Sequence, residues 1–81
     1  LAAQMFSMFS DPSLKENIQF TGVDNGFNKY SWTWNEMANG LGLYGESYGV
    51  MADEVKAIKP EAVTVDRGFM KVDYGMIGVK V

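Results

Sequence analysis

Few of the side chains that usually carry chemistry are present in this chain. It has no cysteine and no histidine, so neither a disulfide nor a Cys/His zinc site can form, and no metal or other cofactor is expected. Asp53 and Glu54 are adjacent; on a helix they point about 100° apart and cannot form a paired-carboxylate site by themselves. Residues 39–49 hold four of the nine glycines. A phosphate cradle needs such glycines to lead into a helix start, usually with a lysine, and this chain has no Lys or Arg between Lys29 and Lys56. Trp32, Trp34 and Tyr44 could stack on sugars, although a Trp stripe more often belongs to a core. That leaves Ser10-Asp11-Pro12-Ser13-Leu14-Lys15. Here Asp11 suits a helix N-cap and Pro12 the first position of a new turn over residues 13–16.

The elements that must position these residues are short. Leu1, Met5, Met8 and Phe9 recur at helical spacing, which predicts an N-terminal helical segment ending at Ser10. Residues 18–21 alternate as a strand, and Val23-Asp24-Asn25-Gly26 supplies a turn. In the following strand Tyr30, Trp32 and Trp34 share one face. Residues 39–49 read as a loop or long hairpin connection, and residues 48–50 as a short strand. Met51, Val55 and Ile58 mark one face of a two-turn helix that stops before Pro60. Residues 62–65 and 69–72 flank Asp66-Arg67-Gly68 and predict a β-hairpin with Gly68 in a left-handed turn position. The tail from Tyr74 is apolar. The fold class expected from this pattern is α+β: a small, mostly antiparallel sheet with one short packed helix and the N-terminal helical segment.

Length and charge narrow the partners. Eighty-one residues make one small domain, which buries only about 60% of the surface its unfolded chain exposes. With no covalent or metal staple, oligomerisation is the remaining source of support. The net charge is −3 and the seven basic residues are scattered, so no stripe neutralises a run of phosphates and nucleic acid is not an expected partner. No apolar stretch approaches the ~20 residues of a membrane span. A first residue of Leu rather than Met suggests a piece of a longer or processed protein.

Two blocks of residues carry a resemblance. Ser10-Asp11-Pro12-Ser13-Leu14-Lys15-Glu16-Asn17-Ile18 is similar to the opening signature of the intramolecular chaperone auto-processing family, the self-cleaving serine peptidases of bacteriophage tail spikes and tail fibres. Gly49-Val50-Met51-Ala52-Asp53-Glu54-Val55, with Pro60-Glu61-Ala62-Val63 and Val72-Asp73-Tyr74, resembles that family's central motif and following hairpin. The match runs in order from Phe9 to Tyr74, with Ser13 where the family often has Arg. The resemblance implies a Ser–Lys dyad of Ser10 and Lys15 and a scissile bond between Phe9 and Ser10. Glu54 matches the family motif and could support the dyad, with a solvated helix face or an intersubunit salt bridge as the alternative for it; Asp11 is a further supporting candidate. The chemistry is reasonable: a serine hydroxyl needs a proton acceptor, and lysine becomes one only when burial lowers its pKa toward ~7–8.

On this resemblance residues 1–9 are the end of an upstream stalk and residues 10–81 the chaperone domain. The expected function is a C-terminal intramolecular chaperone that trimerises a phage tail fibre, spike or related virion protein. It would act once as a serine endopeptidase on itself, be assembled in the host cytoplasm and belong to the virion. Its partners would be two further copies and the upstream fibre. The alternative is a non-cleaved trimerisation cap retained in the virion; a third reading is a glycan-binding tip using Trp32, Trp34 and Tyr44.

Overall fold

The computed structural model describes residues 7–80. In chain order these form β1 (Ser7–Phe9), a 3-10 turn (Pro12–Leu14), β2 (Lys15–Asp24), β3 (Phe27–Trp34), α1 (Glu36–Asn39), β4 (Glu46–Gly49), α2 (Ala52–Ile58), a second 3-10 turn (Pro60–Ala62), β5 (Val63–Asp66), β6 (Phe69–Asp73) and α3 (Tyr74–Ile77). The strands make two three-stranded antiparallel sheets, ordered β1-β6-β5 and β2-β3-β4.

This corrects the expected fold class at three points. Among the described residues there are two sheets rather than one and three short α-helices rather than one. The first described element is a strand, not a helix: Ser7, Met8 and Phe9 pair with Asp73, Val72 and Lys71. A helix of so few residues is marginal on its own in water, and a ladder against a formed hairpin satisfies the same backbone groups. The rest of the expected helical segment, residues 1–6, lies outside the described residues. The division into two sheets has a related cause. The meander β2-β3-β4 pairs with its own neighbours in sequence, whereas β6 recruits β1 from the far end of the chain.

Local signals hold elsewhere. Asn25 and Gly26 (φ 51° and 84°), and Arg67 and Gly68 (φ 53° and 85°), take the positive angles that two-residue hairpin turns require. Two apolar clusters fill the interior. Phe27, Val50, Val55, Ala62, Val72, Tyr74 and Ile77 pack around α2. Leu14, Trp32, Trp34, Ala38 and Met51 form the other, in which the two indoles meet edge to face at 5.4 Å. Among the described residues no helix is long and apolar enough to cross a membrane.

Candidate active site

Ser10 follows the last residue of β1 and is completely buried. Its backbone extends the β1–β6 ladder by one bond, Ser10 N donating to Met70 O at 3.0 Å. Asp11 doubles that attachment. One carboxylate oxygen accepts from Met70 N at 3.0 Å, and the other accepts from Ser13 N at 3.0 Å and Ser13 Oγ at 2.7 Å. Asp11 is therefore the expected N-cap of the 3-10 turn, and it also pins that turn to β6. Burial pushes the Asp11 carboxyl up, but the bonds from Met70 and Ser13, with the nearby Lys15 charge, outweigh it and hold its pKa below the ordinary value.

The 3-10 turn drops Leu14 into the core and opens β2 at Lys15, which pairs across to Trp34. Lys15 is only 6% exposed. Its Nζ donates to Ser10 O at 2.7 Å and Val50 O at 3.1 Å, and lies 3.6 Å from Met51 Sδ. The ring of Trp32 covers it, with the centroid 4.0 Å away. Burial is the dominant influence on this amine and pulls its pKa from 10.5 to about 7, against the opposing pull of Asp11, Asp53 and Glu54. The two carbonyls and the indole face also favour the ammonium. Near neutral pH both the charged and the neutral amine are accessible, as a lysine base requires.

The structure thus brings Ser10 and Lys15 together, through the Ser10 carbonyl oxygen rather than its hydroxyl. The hydroxyl faces elsewhere: Ser10 Oγ is 3.2 Å from the phenol oxygen of Tyr74. The Ser10 carbonyl also accepts from Ala52 N at 2.8 Å. Phe9 sits half-buried on β1 opposite Lys71, with the Lys71 ammonium 4.9 Å from its ring centroid. Glu54 does not join the pair directly. Its carboxylate accepts from Tyr30 Oη at 2.7 Å, a bond that, with burial and the Glu54 charge, raises the Tyr30 pKa.

Sequence reasoning missed the residues that enclose the pair: Val50 and Met51 on the link from β4 to α2, Trp32 from β3, and Tyr74 at the start of α3. A signal for Tyr74 was present at Gly49. That residue has φ 152°, and a Cβ there would collide with the Tyr74 hydroxyl and crowd Trp32. Trp32 and Trp34 are core residues, so their faces are not available for stacking on a sugar; Tyr44 is exposed. Among the described residues no group of three or more His, Cys, Asp or Glu side chains could hold a metal ion. Comparison with protein-family models, with curated proteins and with solved structures finds no match to this chain.

Proposed function

We propose that this chain is a C-terminal intramolecular chaperone that assembles a phage tail fibre, tail spike or related virion protein as a homotrimer, then cuts itself away between Phe9 and Ser10. The observation that carries this reading is a fully buried serine whose carbonyl oxygen accepts from a buried lysine five residues on, an amine whose pKa burial brings to about 7. Burying a lysine without a carboxylate bonded to it costs stability, so such a lysine is more readily explained by chemistry than by packing.

In the cleavage step Lys15 accepts the Ser10 Oγ proton as Oγ bonds to the Phe9 carbonyl carbon. The Phe9–Ser10 C–N bond breaks, and the proton passes to the Ser10 nitrogen. Water then hydrolyses the Phe9 ester, freeing a Phe9 carboxylate and the Ser10 hydroxyl. A swing of Lys15 Nζ from the Ser10 carbonyl oxygen to the hydroxyl of the same residue prepares the step. Support for assembly comes from β2, the outer strand of its sheet, which leaves Ile18, Phe20 and Val23 exposed.

Intact mass of the full-length protein tests the reading. Wild type splits before Ser10, while Ser10→Ala and Lys15→Ala stay whole and still scatter light as trimers. A wild type that stays whole under native conditions refutes cleavage, and a stable monomer at micromolar concentration refutes the chaperone reading. A non-cleaved cap is the second reading, favoured by β1: the three residues upstream of the scissile bond are an integral strand of the sheet.

A further inference from the structure

The geometry points to Tyr74 as a third catalytic residue, a phenol that donates its hydrogen to Ser10 Oγ, orients the nucleophile and stabilises the charge that grows on it. This inference rests on the self-cleavage reading and adds a residue to it.

Tyr74 is 4% exposed, so its hydroxyl must find protein partners. Val50 N donates to the phenol oxygen at 2.9 Å, which occupies that oxygen as an acceptor. The phenol hydrogen then needs an acceptor of its own, and Ser10 Oγ stands 3.2 Å away. With Tyr74 as donor, the Ser10 hydroxyl hydrogen is turned away from the phenol and left for Lys15 to take. As Oγ loses that proton, the bond from Tyr74 becomes charge-assisted and strengthens. An interaction stronger in the transition state than in the resting state accelerates the step. The phenol keeps its own proton throughout, so the balance of the cleavage step is unchanged.

The surrounding chain holds the phenol to this position from three sides. Tyr74 is the first residue of α3, and Asp73 caps that helix by accepting from Met76 N at 3.2 Å. The end of α3 is tied to the β2–β3 turn by Asn25 Nδ2, which donates to Ile77 O at 2.8 Å. On the facing side Gly49 leaves the space its Cβ would fill to the hydroxyl.

A purely structural Tyr74 would use Ser10 only as a partner for its own hydroxyl, and the two roles separate in kinetics. The full-length protein is made as wild type, as Tyr74→Phe and with 3,5-difluorotyrosine at position 74, and cleavage is timed by intact mass across pH. Tyr74→Phe is expected to assemble and to cleave about 10²-fold more slowly, the usual loss for one aimed donor. The fluorinated phenol fills nearly the same space and is a stronger hydrogen-bond donor, so its cleavage rate should depart from that of wild type. If wild type cleaves and the fluorinated protein reproduces its rate and pH profile, Tyr74 is structural and the Ser10–Lys15 reading survives alone. If wild type does not cleave, both fall together. Should Tyr74→Phe not assemble, the fluorinated protein decides by itself.

Discussion

Removing the charge on Lys15 should change how stability depends on pH, and the structure sets the size of the change. In the folded chain burial brings the Lys15 pKa from 10.5 to about 7. Between those values the unfolded chain binds a proton that the native chain does not, so native stability rises with pH, by up to about 1.4 kcal/mol per unit. Below pH 7 both states hold the proton and this contribution is flat. From pH 6 to pH 9 the gain is about 2.5 kcal/mol, and this is a ceiling, because the Ser10 and Val50 carbonyls and the Trp32 ring favour the ammonium. Lys15→Met keeps much of the volume and does not titrate. It leaves Val50 O without its donor, a cost of about 1–3 kcal/mol that is independent of pH.

The comparison is best made in a Ser10→Ala background, so that both chains stay whole, and at one protomer concentration. Urea midpoints are measured from pH 6 to pH 9. With an m-value of about 1 kcal/mol/M for a domain this small, the Lys15 chain should gain up to about 2.5 M in midpoint relative to Lys15→Met. Other titrating groups are common to both and cancel. If the two curves of midpoint against pH run parallel, Lys15 is an ordinary ammonium at neutral pH and cannot serve as the base.

Two further outcomes follow from the elements on either side of Ser10. Asp11→Ala removes the acceptor of Met70 N and Ser13 N. It should cost about 1–3 kcal/mol at pH 7 and slow cleavage, with the stability difference shrinking as pH falls below the ordinary Asp value, because the depressed Asp11 pKa stabilises the fold only while the carboxyl is ionised; a variant that cleaves and melts like wild type removes Asp11 from the site. After cleavage, β1 should remain laddered on β6, so that the two fragments co-elute in native size exclusion and separate in denaturant; immediate native separation would show that β1 depends on the covalent bond.

What the sequence made legible was chiefly local. The Asp11-Pro12 turn, the Asn25-Gly26 turn, the Tyr30-Trp32-Trp34 face and the Asp66-Arg67-Gly68 hairpin each depend on a few neighbouring residues, and each has a direct physical signature. Elements fixed by distant partners were not legible. Met5, Met8 and Phe9 keep helical spacing, yet Ser7–Phe9 is a strand because β6 offers it a ladder. The tail beginning at Tyr74 reads as merely apolar, and its single helical turn shows itself in the Asp73 cap and in Gly78 at the left-handed C-cap. The site divides in the same way. Ser10 and Lys15 came from a resemblance that needed two blocks of residues; Val50, Met51 and Tyr74 lie in the second block without a role there, and with Trp32 they reach the pair from other elements at separations no local pattern encodes.

That division bears on when the site can work. Ser10 directly follows a strand of one sheet and Lys15 begins a strand of the other, with only Asp11 and the 3-10 turn between them. The turn alone brings the two residues near each other but does not bury them. Burial of Lys15 requires Val50, 35 residues away, and Trp32 from β3; the Ser10 hydroxyl meets Tyr74, 64 residues away. Until both sheets and the link between β4 and α2 have closed on this point, Lys15 is a hydrated ammonium and no base. A lysine that can give up its proton near neutral pH is thus a property of the completed fold, and the proposed cleavage step, which depends on it, would be confined to chains that have already folded.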